Sequence, residues 1–174
     1  MSLEYPDWLD ARKAAEGNRE FSGTIPLARM KRLSPLLAST EGLADFEAGF
    51  AFDEQGHVAI SIKVSTVLEL ICQRSLEPYG ETIQRSSLLG VIENVDEEAD
   101  LPEHYDPVLA DNGRLALADL VEEELLLGMP QVPRSPATKG ASQTKTEAGS
   151  ALKKQGEPTQ QPFAGLADLM KSRN

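Results

Sequence analysis

The stretch FEAGFAFDEQGHVAISIKVSTVLELICQRSLEPYGETIQRSSLLGVI, residues 46–92, decides the fold. Apolar and polar residues alternate through three consecutive runs, which start at Phe46, Val58 and Tyr79. Such period-two alternation is typical of β-strands that have one packed face and one wet face. DEQG at residues 53–56 and the pair Glu77-Pro78 supply turns between the runs. The pattern therefore predicts a meander of three long antiparallel strands.

The residues before this stretch predict shorter elements. Phe21, Gly23 and Ile25 alternate with polar residues ahead of Pro26, which indicates a brief edge strand. One helical pattern covers residues 6–15 and stops at Gly17-Asn18, and a second covers residues 27–38. Because Pro35 lies inside the second pattern, we expect that helix to break or kink near residue 34.

The residues after the stretch predict a cover for the sheet. Residues 93–103 are too acidic to bury and indicate a surface loop, residues 105–110 look extended, and DNG at 111–113 is a strong turn signal. A helix that ends at Gly128 and Pro130 follows. Its apolar stripe comprises Leu117, Leu120, Val121 and Leu125, with Asp119, Glu122 and Glu123 off that stripe. The expected fold class is α+β, an antiparallel sheet covered by one or two helices.

Composition divides the chain into three segments. Residues 1–133 hold the periodic apolar patterns and predict the folded domain. Residues 134–161 are rich in Ser, Thr, Gly, Pro, Lys and Gln, a composition typical of a disordered linker. Residues 162–174 end the chain with an apolar stripe at helical spacing, formed by Phe163, Leu166, Leu169 and Met170. Such a short amphipathic segment either docks on its own domain or binds a partner.

The net charge of −11 is unevenly distributed. Residues 41–133 carry four Lys/Arg and twenty Asp/Glu, or −16, whereas residues 134–174 carry seven against three, or +4. An acidic body repels phosphate and attracts basic proteins. No apolar run has the length of a membrane span, and the acidic start MSLEYPDWLD does not resemble a signal peptide. The expected location is cytoplasmic, with no membrane contact.

The sequence gives little sign of catalytic or metal chemistry. In Cys72-Gln-Arg-Ser75 the serine removes the second thiol of a Cys-x-x-Cys pair, so we expect Cys72 to be a buried residue at a strand end. His57 and His104 stand apart in polar surroundings. Phosphate loops, nucleotide fingerprints and nucleophile elbows do not occur. We therefore predict a protein that is not an enzyme and that has no catalytic residues, no metal and no cofactor.

Two sets of residues are candidates for binding. The candidate RNA contacts are Arg29, Lys31, Arg32, Lys153 and Lys154, because clustered cations bind phosphate. The alternative is that these residues only solvate a helix face and a linker. The candidate partner-binding residues are Glu122, Glu123, Phe163, Leu166, Leu169 and Met170.

Several segments, in order, resemble the YceD family of large ribosomal RNA subunit accumulation proteins. They are FSG at residues 21–23, LELICQR at 68–74, EEADLP at 97–102, YDP at 105–107, LADLVEEELLL at 117–127, PQVP at 130–133 and PFA at 162–164. Family members often carry Cys-x-x-Cys where this chain has Cys72 and Ser75, and many carry further cysteines after the Pro-x-x-Pro. Any metal-dependent property of the family is therefore not expected here.

The resemblance implies a non-enzymatic role in the accumulation or processing of large-subunit ribosomal RNA, and hence in assembly of the large ribosomal subunit. The partner is then a basic ribosomal protein or the ribosomal RNA. An alternative is a direct single-stranded RNA-binding protein that uses an exposed sheet face. Such a face needs aromatic rings, and Tyr79 is the obvious candidate. A hydrolytic or redox function of Cys72 is a third hypothesis, and it predicts loss of function in Cys72→Ser.

Overall fold

A computed structural model describes residues 5–136 and contains a five-stranded sheet. In spatial order its strands are β2 (Glu20–Pro26), β3 (Leu43–Phe52), β4 (Val58–Ile71), β5 (Pro78–Ile92) and β6 (Asp106–Leu109). A small antiparallel pair joins β1 (Leu9–Asp10) to β7 (Arg114–Leu115). Two α-helices, α1 (Ala11–Glu16) and α2 (Leu117–Gly128), and three short 3₁₀ helices complete the described elements.

The predicted meander of three long strands is confirmed. β3 pairs antiparallel with β4, and β4 with β5, in a continuous register that includes Phe46↔Val64 and Ile62↔Ser87. Alternate residues are buried from Ala44 to Phe50 in β3 and from Ile60 to Leu70 in β4. β2 pairs antiparallel with β3 at one edge, as the alternation before Pro26 predicts. The buried face therefore follows the period-two pattern of the sequence.

The last strand makes the sheet mixed. After β5 the chain crosses over through an exposed 3₁₀ helix, Val95–Asp100, and returns as β6 parallel to β5. Residues 93–100 are all exposed, which confirms the predicted surface loop. The expected α+β class is confirmed, with one parallel pair added to an otherwise antiparallel sheet.

One face of the sheet carries the hydrophobic core. α1 lies against β3 and β4, and α2 lies against β5 and β4. Aromatic rings meet edge to face at two points, Tyr5 with Phe46 and Phe21 with Phe50. The largest fully buried side chains are Phe50, Ile25, Leu27, Met30, Leu33, Ile60, Ile62, Leu68, Leu70, Leu117, Leu125 and Val121. The opposite face is open over most of the sheet, as the alternation predicts, but Leu101 and Tyr105 lie over it at Gly90.

The helix predicted over residues 6–15 is shorter than expected. Leu9 and Asp10 are extended and pair with β7, and the Asp10 carboxylate then caps α1 by accepting a 3.0 Å hydrogen bond from the Lys13 N–H. Gly17 is the C-cap and Asn18 has a positive φ of 44°, so the predicted stop at Gly17-Asn18 is confirmed.

The helix predicted over residues 27–38 is wrong. The segment forms two separate 3₁₀ turns, Leu27–Arg29 and Ser34–Leu36, with an extended Met30 between them. Pro35 has no N–H to donate, so the pattern cannot continue as an α-helix. Leu27, Met30 and Leu33 are nonetheless buried, because the turns tuck them into the core. The apolar spacing therefore indicated burial correctly, but the buried residues belong to a loop that packs against the core.

The helix α2 confirms the predicted stripe and corrects one of its neighbours. Leu117, Leu120, Val121 and Leu125 are buried, and the helix ends at Gly128. The expectation that Glu122 lies off the buried stripe is wrong, since this residue is 5 % exposed. Glu124 is buried as well.

Residues 137–174 lie outside the described part of the chain. Most of the predicted linker and the whole segment 162–174 fall there, so these boundaries stay predictions. Within the described part, the Gln73 N–H donates to the Pro133 carbonyl at 2.9 Å. The chain after α2 therefore returns to the turn between β4 and β5.

Candidate functional site

A buried carboxylate joins the loop of residues 27–38 to α2. Glu122 Oε1 accepts hydrogen bonds from the backbone N–H groups of Arg32 at 2.6 Å and Leu33 at 2.9 Å. Loops that pack against a core leave backbone donors without intrahelical or sheet partners, and a buried carboxylate can satisfy two of them at once. Glu122 is thus engaged inside the domain and is not displayed on its surface.

Two of the three cations of the predicted basic patch, Arg29 and Arg32, are paired with carboxylates. The Arg32 guanidinium lies 2.5 Å from Glu123 Oε2 and 3.6 Å from Glu122 Oε2, and Arg29 lies 3.7 Å from Asp7. The hydrogen bond to Glu123 raises the pKa of Arg32. Lys31 is exposed and has no ion pair within residues 5–136. The sequence-predicted Arg32 and Glu123 therefore lie side by side as partners of each other.

A second buried carboxylate ties α2 to the sheet. Glu124 Oε2 lies 2.9 Å from Arg85 Nε and accepts a 2.7 Å hydrogen bond from Ser87 Oγ. Both partners lie on β5, on the face that packs against α2. Glu122 and Glu124 together fix the rotation of α2 about its axis. This rotation determines which side chains of α2 point away from the core.

A groove lies between the outer side of α2 and the segment of β6 and β7, and we call it the α2–β6 groove. It has a volume of about 460 Å³. Three large apolar side chains that line it are exposed to solvent: Trp8 at 60 %, Leu109 at 56 % and Leu127 at 57 %. Exposed large apolar groups that share one concave surface are typical of protein-binding sites.

The rim of the α2–β6 groove is acidic. Asp106, Asp111, Asp119 and Glu123 line it, against the two cations Arg32 and Arg114. Arg32 is already paired with Glu123. Asp106 and Asp119 take part in no ion pair within the part of the chain that the structure describes. The groove thus combines apolar anchors with unneutralised carboxylates, which suits a segment that carries both apolar and basic residues.

The middle of the open face of the sheet is polar, whereas the side chains of Leu43, Val67, Ile71 and Leu88 are exposed apolar groups on the same face. A shallow concavity of about 620 Å³ lies over β2 to β5, and its open-face lining is Ser22, Thr24, Asp45, Glu47, Lys63, Ser65, Gln84 and Ser86. The five strands place no aromatic ring on this face, because Tyr79 alternates with the core-facing residues of β5 and packs against the core. Tyr105, which precedes β6, lies over this face at Gly90, where a Cβ would come within 3.2 Å of the Tyr105 Cβ.

Cys72 is fully buried at the end of β4, as expected. The Ser135 N–H lies 3.4 Å from its Sγ, so the chain after Pro133 passes directly over the thiol. Among residues 5–136 no group of three His, Cys, Asp or Glu side chains is placed to hold a metal ion. His57 lies instead beside Asp53, with Nδ1 2.9 Å from Oδ2 in the turn between β3 and β4.

Six predicted site residues, Lys153, Lys154, Phe163, Leu166, Leu169 and Met170, lie outside the described residues. Conversely, the sequence reasoning did not single out the apolar anchors of the groove. Trp8 was assigned to a helical pattern, and Leu127 closes the apolar run ELLLG at the end of α2. The sequence does contain a sign of the exposed anchor: the apolar run continues beyond the buried stripe, so Leu127 has no place in the core.

None of the helices in residues 5–136 has the length and hydrophobicity that crossing a bilayer would require.

Comparison with known proteins gives a consistent answer. The family described as "Large ribosomal RNA subunit accumulation protein YceD" matches residues 60–170. The Haemophilus influenzae protein of that name is 28 % identical over 170 residues, which cover 97 % of this chain and 98 % of the relative. No solved structure gives a significant match. The family match begins in β4 and includes α2 with its two buried glutamates, so the chain belongs to the YceD family.

Proposed function

We propose that this protein promotes the accumulation of large-subunit ribosomal RNA in the cytoplasm without catalysing a reaction, by holding a basic segment of a ribosomal protein in the α2–β6 groove. Membership of the YceD family supports the role in ribosomal RNA accumulation, since the family and the Haemophilus influenzae relative carry that description. The groove supports the mode of action.

The observation that carries the binding mode is the position of Trp8 beside unpaired carboxylates. Trp8 is 60 % exposed at the groove, although a tryptophan of a monomeric domain normally buries most of its surface. Tryptophan is enriched among residues that dominate interface energies. Asp106 and Asp119 on the same rim favour a lysine- or arginine-rich partner.

The charge distribution favours protein over RNA as the occupant of the groove. Residues 41–133 carry −16, and within the basic patch Arg29 and Arg32 are paired with Asp7 and Glu123. Phosphate groups would therefore meet repulsion over most of the domain. Direct RNA contact through Arg29, Lys31, Arg32, Lys153 and Lys154 is a secondary proposal, in which these cations would hold RNA that is already near a bound ribosomal protein.

A complementation experiment tests both parts of the proposal. A strain that lacks the protein is expected to accumulate less large-subunit ribosomal RNA and fewer large subunits on sucrose gradients. Normal levels in that strain would refute the role in ribosomal RNA accumulation.

The groove is tested by returning the full chain with Trp8→Ala and Leu127→Ser combined. This variant should fail to restore the subunits and should lose co-purifying ribosomal proteins by about tenfold or more. The matched control is Val95→Ser, which changes an exposed valine of the crossover away from the groove. Full rescue by the groove variant would refute the binding mode. The binding mode would also be refuted if the unchanged protein still captured ribosomal RNA after the ribosomal proteins had been removed from the sample.

A further inference from the structure

The strand β2 forms one edge of the sheet, and its backbone orientation can be read from its neighbour. Glu20 pairs with Gly49 at the start of β2, and one residue earlier the Phe50 N–H donates to the Arg19 carbonyl at 2.9 Å. In an antiparallel pair, alternate residues point their N–H and C=O groups toward the partner strand. The backbone groups of Glu20, Ser22 and Thr24 therefore point away from β3, toward the outside of the sheet.

These outward groups are free within residues 5–136. The outward backbone groups of Glu20, Ser22 and Thr24 take part in no hydrogen bond among these residues, and all three residues are exposed. Pro26, the next outward residue, has no N–H and ends the open stretch. The free edge is thus a row of donors and acceptors centred on Ser22 and Thr24.

The opposite edge of the sheet is blocked. β6 has four residues, and the Ala110 N–H donates to the Ile92 carbonyl at 2.8 Å. By alternation Pro107 then points outward, where its ring removes a donor from an already short strand. Folded proteins protect sheet edges against unwanted pairing in this way, and β2 lacks that protection along its central residues.

The open face beside β2 is acidic. Glu20 lies on this face of β2, and Asp45 and Glu47 lie on the same face of β3. Lys63 approaches Glu47 at 3.8 Å, whereas Asp45 has no ion pair within the described residues. Asp45 and Glu47 line the concavity of about 620 Å³ over the open face.

We propose that the β2 edge accepts an extended, lysine- or arginine-bearing segment of a partner protein as a sixth strand of the sheet. The backbone of that segment pairs with Ser22 and Thr24, a recognition mode known as strand addition. Neighbouring strands lie about 4.8 Å apart, so the added strand runs about 10 Å from β3, within reach of long cationic side chains that extend toward Asp45 and Glu47. This site is separate from the α2–β6 groove and does not depend on it.

Charge argues against a second copy of this chain as the occupant. Pairing of two β2 strands would bring the acidic open faces of two copies together, with Glu20, Asp45 and Glu47 on each side. Like charges that face one another across an interface oppose association. A basic segment meets attraction at the same positions.

The test uses the full chain and a defined probe, an acetylated and amidated peptide of the length of β2 in which lysine alternates with threonine. We expect saturable binding in a titration followed by backbone amide NMR, with the largest shifts at Ser22 and Thr24. The same peptide with N-methyl groups on alternate backbone nitrogens should bind about tenfold more weakly or worse, because it cannot complete the ladder. A peptide with glutamate in place of lysine should not bind.

Protein variants separate the backbone from the side chains. Ser22→Pro removes an outward N–H without removing a bond to β3, and should weaken peptide binding by about tenfold or more. Ser22→Ala is the matched control, since it keeps the N–H, and it should bind as the unchanged protein does. Asp45→Asn should weaken the binding of the peptide and reduce the dependence of that binding on salt.

Several outcomes would overturn the proposal. They are equal binding by Ser22→Pro and the unchanged protein, equal binding of the N-methylated peptide, and shifts centred on Trp8, Leu109 and Leu127 instead of β2. The last result would leave the groove proposal standing while refuting strand addition. A dimer in sedimentation that Ser22→Pro dissociates would assign the edge to a second copy and would also refute the proposal.

Discussion

Glu122 and Leu33 are joined by a 2.9 Å hydrogen bond from the backbone N–H of Leu33 to a carboxylate oxygen, at a point where the leucine side chain has no exposed surface. The bond links α2 to a loop that lies 89 residues earlier in the sequence. The same oxygen also accepts the Arg32 N–H at 2.6 Å. One buried and one part-buried backbone donor thus depend on one side chain.

We predict that Glu122→Ala lowers the free energy of unfolding by about 2–3 kcal/mol, because the buried Leu33 N–H and the part-buried Arg32 N–H both lose their acceptor. Glu122→Gln should cost less, since an amide oxygen can still accept. Glu123→Ala is the control: its carboxylate is half exposed, and loss of its pairing with Arg32 should cost about 0–1 kcal/mol. Urea unfolding of the three variants gives the comparison. Equal effects of Glu122→Ala and Glu123→Ala would contradict the assigned role.

The contact between Arg85 and Glu124 should show strong energetic coupling. Glu124 is buried, whereas the Arg85 side chain is 31 % exposed. Removal of Arg85 leaves a buried carboxylate without its cation, whereas removal of Glu124 leaves a cation that can reach water. In a double-mutant cycle with alanine, we expect a coupling energy of about 1–3 kcal/mol. Additive single-mutant effects would show that the helix and the sheet are held together by other contacts.

The turn between β3 and β4 should make stability depend on pH. Asp53 accepts hydrogen bonds from the backbone N–H groups of Gln55 at 2.9 Å and His57 at 2.8 Å. Burial favours the neutral acid, but these bonds and the contact with the His57 ring together hold the pKa of Asp53 below its ordinary value. A carboxyl group with a lowered pKa stabilises the fold above its unfolded pKa of about 3.9, and this stabilisation is lost as the pH falls through the folded value.

The expected result is that the unchanged protein exceeds Asp53→Asn in unfolding free energy at pH 6, and that the difference shrinks at pH 3. Urea unfolding at both pH values measures it. A difference that stays constant or grows on acidification would have the opposite sign and would refute the assignment.

The last residue of α2 should tolerate no side chain. A Cβ at Gly128 would lie 2.7 Å from Ile83 Cγ2 and 2.9 Å from Arg85 Cδ, so Gly128→Ala forces the end of the helix away from β5. We expect a loss of about 1–3 kcal/mol in unfolding free energy. Gly80→Ala is the control. Its Cβ would meet only the exposed Val67 side chain, at 3.2 Å, and the change should stay within about 0.5 kcal/mol. A larger effect at Gly80 than at Gly128 would contradict the packing described for α2.

Cys72→Ser tests whether the thiol has a chemical role. The buried thiol lies beside the Ser135 N–H, and a serine oxygen can occupy the same position. We therefore expect the variant to support normal ribosomal RNA levels in complementation. Loss of function with normal folding, judged by urea unfolding, would favour redox or hydrolytic chemistry instead.

The strands were predictable because their signal is local. In β3, β4 and β5 every second residue contacts the same core, so the alternation of Phe46, Ile60 or Ile83 with polar neighbours reports burial directly. The helix expected over residues 27–38 was wrong because the local pattern reports burial and not the backbone conformation. Leu27, Met30 and Leu33 have helical spacing and are buried, but apolar spacing alone does not reveal that two turns replace the helix.

The burial of Glu122 and Glu124 could not be predicted from α2 alone. A glutamate on a helix is expected at the surface unless a polar partner satisfies it inside the fold. The partners of Glu122 are the backbone N–H groups of residues 32 and 33, and the partner of Glu124 is an arginine on β5. The α2–β6 groove has the same difficulty. Trp8 and Leu127 are far apart in the sequence, and only the folded chain brings them to one surface.

The pairing of β1 with β7 also constrains the order in which the protein can fold. Leu9 pairs with Leu115, and the Ala11 N–H donates to the Gly113 carbonyl at 3.0 Å. During synthesis, the first strand must wait until the residues around Leu115 have left the ribosome, whereas the hairpin of β3 and β4 can form earlier from neighbouring segments. Trp8 stands immediately before β1. The groove that it lines is therefore assembled among the last parts of the domain, so an unfinished chain cannot yet display that binding surface.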